Sequence, residues 1–142
     1  MQLTRSERYL QILLRVTAAV MLLAVVAVYM PRLWMAAVHQ WLGLGEFPAA
    51  PIAEYLARQT SALYAVLGGA FILAAADVRR YERLITYLAI TLIINSVTTF
   101  CFFLHQFPTY GLVGDLASAA GFAAATLTLQ YRARHERARL HE

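Results

Sequence analysis

Apolar residues gather in four long blocks separated by short polar segments, and each block approaches the roughly 20 residues of helix that a bilayer core demands. The first block runs from Leu10 to Met30 with Arg15 as its only charge, the second from about Ala53 to Ala76, the third from Leu84 to Leu104 and the fourth from about Leu112 to Tyr131. Pro31 closes the first block, Pro51 suits the first turn of the second, and Pro108 with Gly111 separates the third from the fourth. The pattern predicts an all-α integral membrane protein, a four-helix transmembrane bundle forming a single domain over residues 1–142. A basic start before an apolar core also describes a secretory signal. The first apolar run continues to Met30 without the small-x-small site expected after such a core, so an uncleaved anchor is expected.

Between the first two blocks, Trp34, Val38 and Trp41 recur at helical spacing with Ala37 beside them, and Met35, His39 and Leu42 form a neighbouring stripe. This segment is too short and polar to cross a membrane. Tryptophan favours the headgroup level, so an extracytoplasmic interfacial helix over about 32–42 is expected, ended by Gly43 and Gly45. It serves either as an anchor that tidies a loop or as a lid over a pocket between the spans.

Composition names the same solvent. The 142 residues are 61% hydrophobic and 14% charged, with a mean hydropathy of +0.57, whereas soluble domains average about 25% charged residues. A water-soluble enzyme and a disordered chain are both excluded. The net charge is +4 and all 12 basic residues are arginine, so their placement matters more than their sum. Ten flank the amino end, the second connection and the tail, at Arg5, Arg8, Arg15, Arg79, Arg80, Arg83, Arg132, Arg134, Arg137 and Arg139. Only Arg32 and Arg58 lie on the other side. Cytoplasmic flanks carry the excess of basic residues, which puts both termini in the cytoplasm. The tail, 132–142, extends into the cytosol, where its arginines would meet anionic lipid. No polar domain is present to bind nucleic acid.

Ionisable and polar residues inside a span are costly and usually find a partner. Glu54 and Arg58 stand four apart on the second helix, in the favourable order for an ion pair, and Arg58 shares its face with Ser61, Ala65 and Gly69. Arg58 is expected to face Asp115, the only acid in the last two spans. Arg15 either snorkels to the interface or pairs with Asp77. Tyr87, Thr91, Asn95 and Thr98, with Thr99 beside them, draw a polar stripe expected to face inward, either for interhelical hydrogen bonds or as the lining of a solute groove. Gly68, Gly69, Gly114, Ser118, Gly121 and Ala125 offer small faces for close helix packing.

His105 and Gln106 end the third span, and His39 and Glu46 lie on the connecting segment, but their spacing matches no known metal site such as HExxH. No metal or cofactor is expected. Cys101 is the single cysteine, so neither an intramolecular disulfide, a CxxC redox motif nor a thiolate zinc site is available. Nothing pairs a nucleophile with a base or forms a phosphate loop, so the chain is not read as an enzyme. The acid that small multidrug exporters carry in their first span is also missing here.

The run Trp41-Leu-Gly-Leu-Gly-Glu-Phe-Pro, then Tyr55-Leu-Ala-Arg58, Ser61-Ala-Leu-Tyr64, Gly68-Gly69 and Asp77-Val-Arg-Arg-Tyr81 resembles a group of small four-span bacterial membrane proteins. The resemblance covers roughly the middle third of the chain. It implies a bacterial inner-membrane setting and brings no catalytic residue. Two functions remain. One is an outer-leaflet polar pocket of Arg58, Tyr64, Asn95, His105 and Asp115 that holds a lipid or small amphiphile. The other is an accessory or assembly subunit that packs through small-residue faces against itself or a larger membrane complex.

Overall fold

The structure is a computed structural model that describes residues 3–105 and 109–139. Gln106, Pro108 and the last residues of the tail lie outside the described residues. Among the described residues the chain is helical and without strands: α1 (Arg5–Leu22), α2 (Ala24–Tyr29), α3 (Arg32–Trp41), α4 (Pro51–Ala76), α5 (Glu82–Phe103) and α6 (Thr109–Arg139). Leu23 interrupts α1 and α2 by a single residue, and its N–H is shared between the carbonyls of Ala19 and Val20. Four helical stretches, Arg5–Tyr29, Pro51–Ala76, Glu82–Phe103 and Thr109–Arg139, are long and apolar enough to cross a membrane. They make the chain a multi-pass helical membrane protein for which a bundle fits. Exposed apolar side chains cover the helices, as at Val66, which is 71% exposed. A surface of that kind is stable against acyl chains and not against water.

The helix limits follow from local chemistry. Pro51 opens α4, where a missing N–H costs nothing, and Pro31 follows α2, where a helix cannot continue. The end of α3 is a Schellman turn: Gly43 N–H donates to the Gln40 carbonyl and Leu44 N–H to the His39 carbonyl. Gly43 adopts φ +73° and Gly45 φ +83°, the left-handed region that glycine enters without steric cost.

The chain packs as two compact units. One comprises residues 16–72, the other residues 1–15 and 73–142. Within residues 16–72, α1 and α4 meet at Gly68. A Cβ built there would lie 3.1 Å from the Ala18 carbonyl oxygen and 3.1 Å from Leu22 Cγ, so any larger residue would have to push α1 back by a few tenths of an ångström. In the same unit α3 buries Met35, which is 7% exposed, while Trp41 is 84% exposed. Of the two stripes on this helix, the one carrying Met35 and His39 turns inward, and the tryptophan stripe turns outward.

In the other unit α5 and α6 pack along one another. The buried residues of α6 are Leu112, Ala119, Ala123, Thr126, Gln130 and Ala133, a three- and four-residue spacing that matches a coiled-coil seam. Opposite them α5 buries Ile85, Leu88, Ala89 and Ser96. The small face read from the sequence of α6 takes no part in this seam. Small residues do line the seam, but they are Ala119, Ala123 and Ala133. Gly114, Ser118 and Gly121 are exposed, roughly 130° round the helix axis, and a Cβ at Gly114 or Gly121 would meet nothing within 4 Å. Gly69 is likewise open and Ala125 is half-buried.

The polar stripe on α5 is also turned outward. Tyr87, Thr91, Asn95 and Thr98 are all exposed and Thr99 is half-buried. The reason lies at the end of the hairpin near Glu82, where hydrogen bonds set the rotation of both helices. Thr86 Oγ1 donates to Gln130 Oε1 at 2.9 Å, and Gln130 Nε2 donates to the Glu82 carbonyl at 2.9 Å. With that face committed to the partner helix, the stripe roughly 125° away cannot also face it.

Gly68→Ala should lower thermal stability in detergent by about 1–2 kcal/mol, because the atoms that crowd the new methyl are largely backbone. Gly69→Ala, in open space one residue along, should be neutral or raise stability by up to about 1 kcal/mol through helix propensity. Equal shifts for the two variants would contradict the close approach at Gly68.

Candidate functional site

Polar side chains collect in two networks, one in each unit. In residues 16–72 the centre is Arg58, about 10 Å along α4 from its first residue. Glu54 lies one turn earlier and accepts from Arg58 Nη2 at 2.8 Å and from Nε at 3.2 Å. Arg58 also donates from Nη1 to the Val28 carbonyl and from Nη2 to the Met30 carbonyl at 3.0 Å. These carbonyls close α2, where the last helical C=O groups lack partners and carry the negative end of the helix dipole. A planar fork with five N–H donors suits this task better than an ammonium.

The same carboxylate reaches a second arginine, since Glu54 Oε2 is 3.9 Å from Arg32 Nη1. Arg32 donates to the carbonyls of Pro48 at 3.2 Å and Ala49 at 3.0 Å, and its guanidinium lies 6.0 Å from the centre of the Phe47 ring. His39 Nδ1 is 3.0 Å from the Gly45 carbonyl, and the imidazole meets Phe47 edge-on. The segment from Gly43 to Ala49 is thus tied to α3 by its own side chains.

In the other unit the centre is Glu7, which is 2% exposed. Its carboxylate accepts from Arg79 Nε at 2.6 Å and Nη2 at 2.7 Å, a two-pronged ion pair. Arg137 Nη1 is 3.7 Å away. Glu7 also closes a capping box: its Oε2 accepts from Thr4 N–H at 2.8 Å, and Thr4 Oγ1 accepts from Glu7 N–H at 3.3 Å. The hydrogen bond to Glu7 raises the Arg79 pKa above the usual arginine value against the opposing effect of burial, so this guanidinium stays charged. Glu82 accepts from Arg134 Nε and from Arg137 Nη2. Ser6 Oγ donates to Glu136 at 2.6 Å, and Gln11 Nε2 caps the Ala75 carbonyl near the end of α4 at 2.7 Å.

Of the residues singled out in the sequence, the structure brings Glu54 and Arg58 together. Arg58 lies in one unit and Asp115 in the other; Asp115 is exposed on α6, as is the neighbouring Ser118, whose hydroxyl donates to the Asp115 carbonyl. Tyr64, Asn95 and His105 are each exposed. Asp77 does not pair with Arg15. Its Oδ1 accepts from the backbone N–H of Arg80 at 3.0 Å, and Arg15 is exposed without an ion-pair partner among the described residues. The arginine of this connection that does find an acid is Arg79, because the fold carries Glu7 to it.

Glu7, Glu82 and Gln130 went unnoticed in the sequence. Thr4-Arg-Ser-Glu7 carries a readable sign, the S/T-x-x-E spacing of a capping box before an apolar run. Glu82 and Gln130 carry none, since their partners stand more than 40 residues away. Beside this network a cleft of about 450 Å³ is lined by Arg79, Arg80, Glu82, Arg83 and Arg134. A second hollow of about 380 Å³ lies along α6 between Tyr131 and Arg139. No group of three or more His, Cys, Asp or Glu side chains able to hold a metal occurs among the described residues.

No protein-family model, curated protein or solved structure matches the chain. The resemblance to small four-span bacterial proteins therefore brings no family assignment and no site residues.

Removing Arg79 leaves a carboxylate withdrawn from water with the Thr4 N–H and the more distant Arg137 as its partners, which is costlier than having no carboxylate at all. Arg79→Ala should lower the unfolding midpoint in detergent by roughly 5 °C. Adding Glu7→Gln, which keeps the capping box, should recover most of that loss. A double variant as unstable as the sum of the two single variants would show that the pair is not coupled.

Proposed function

We propose that the protein is a multi-pass subunit of the bacterial inner membrane that assembles with a second copy of itself through the outward faces of α5 and α6. The observation that carries this reading is Asn95. Its amide is exposed near the middle of α5 and makes no hydrogen bond among the described residues, and neither does the Thr91 hydroxyl one turn earlier. Thr98 differs, because its Oγ1 returns to the Ile94 carbonyl at 2.8 Å.

An amide in hydrocarbon is unfavourable until it finds a partner, and polar side chains join helices in membranes. A two-fold interface sets a residue near the axis against its own copy. An amide, both donor and acceptor, satisfies itself in that arrangement. The open Gly114 and Gly121 on α6 would allow another backbone to come close.

The pocket reading, in which Arg58, Tyr64, Asn95, His105 and Asp115 hold a lipid or small amphiphile in the outer leaflet, has less support. The Arg58 guanidinium already donates to Glu54 and to two helix-end carbonyls, which leaves it little to offer a ligand. The orientation proposed, with both termini in the cytoplasm and α3 outside, is supported by the ten arginines on one side against two on the other.

Asn95→Val should weaken self-association, read from cross-linked size or single-molecule counting in bilayers, by about 0.6–2 kcal/mol, with unchanged thermal stability of the separated chain. A wild-type protein that stays monomeric at high protein-to-lipid ratio would end the proposal. For orientation, Cys101→Ser chains carrying one new cysteine at Gln40 or at Arg83 should be labelled by an impermeant maleimide from outside only at Gln40. Labelling at Arg83 would reverse the topology.

A further inference from the structure

The proposed self-assembly does not draw on the arginine-lined cleft formed by the connection 77–81, the start of α5 and Arg134 of α6, and the chemistry of that cleft is specific. Four arginines, Arg79, Arg80, Arg83 and Arg134, line about 450 Å³ with one acid, Glu82. That acid does not neutralise the cleft alone, because both its oxygens already accept, one from Arg134 Nε and the other from Arg137 Nη2. Arg79 is held by Glu7. Arg80 and Arg83 are exposed and have no ion pair among the described residues, and Arg80 only leans over the Tyr81 ring at 5.7 Å. Asp77, the other acid of this connection, directs Oδ1 to the Arg80 backbone N–H.

Its level in the membrane matters as much as its charge. Residues 77–81 join the end of α4 at Ala76 to the start of α5 at Glu82, so the cleft opens where two apolar helices leave the hydrocarbon. The phosphates of a bilayer lie at that level. Glu82 and Arg83 are also the first residues of α5, where the helix dipole adds to the positive potential.

We infer that this cleft is a binding site for a phosphate group, with Arg80 and Arg83 as its free ligands and Arg79 and Arg134 as cations fixed in place by their acids. The phosphate belongs to the headgroup of an anionic phospholipid or to a soluble phosphate, and both present oxygens that an arginine fork matches.

The full chain, purified in a neutral detergent, is titrated separately with phosphatidylglycerol, phosphatidylcholine and inorganic phosphate, and binding is read by native mass spectrometry. Wild-type protein should retain phosphatidylglycerol in preference to phosphatidylcholine. Arginines near a membrane surface contribute roughly fivefold each, so Arg80→Ala with Arg83→Ala should weaken retention roughly 25-fold. Arg83→Gln alone, a milder change at an exposed position, should weaken it roughly fivefold. Arg5→Ala with Arg8→Ala, which removes the same charge from exposed positions on α1, should leave retention unchanged.

Competition by millimolar inorganic phosphate, or binding of phosphate without the lipid, would assign the cleft to a soluble source. Lipid selectivity that persists without competition by phosphate and without binding of phosphate alone assigns it to the headgroup. Equal losses in the two double variants, or no loss in either, would overturn the inference, since the arginines would then act only as general surface charge.

Discussion

A carboxylate withdrawn from water must be met by cations and N–H donors, and Glu7 makes distant parts of this chain meet it. Thr4 supplies its N–H from the same turn, Arg79 supplies two prongs from the connection after α4, and Arg137 approaches from the last turns of α6. Three segments far apart in sequence are therefore held at one end of a single unit. The length of α6 is explained by the same demand: its apolar block ends near Tyr131, yet the helix continues to Arg139 and so brings Arg134 and Arg137 to Glu82 and Glu7.

The opposite sign of charge meets the same constraint at Arg58. Its guanidinium finds one carboxylate and the open carbonyls that close α2, so an arginine within an apolar helix becomes part of the backbone hydrogen-bond pattern. That use of the side chain moves the functional interest elsewhere. Groups already satisfied inside their unit are structural, whereas Asn95 and Thr91 on α5, and Arg80 and Arg83 at the cleft, keep unspent donors and acceptors. An amide in the apolar middle of a helix calls for another protein helix. Guanidinium groups at the membrane boundary call for an anion.

Much of the fold was legible because it follows from local rules. Apolar run length located the four spans, Pro31 and Pro51 marked helix limits, and Gly43 and Gly45 marked the end of α3. The Glu54–Arg58 pair was legible for the same reason, since four residues on a helix make neighbours. The stripe of α5 was expected to face inward and is turned outward instead. Its direction was inferred from one helix alone, on the rule that polar residues face inward. The rotation of each helix was instead decided by the alanine-rich seam and by the bonds among Thr86, Gln130 and Glu82.

By itself the sequence determined how many helices cross lipid and where they stop, because desolvating an open backbone in hydrocarbon is so unfavourable that length and apolarity leave little choice. Only the tertiary structure decided which face of each helix turns inward and which acid each arginine meets. Lipid is as apolar as leucine, so burial scarcely distinguishes one side of such a helix from another. The choice falls to a few hydrogen bonds between residues that have no relation along the chain.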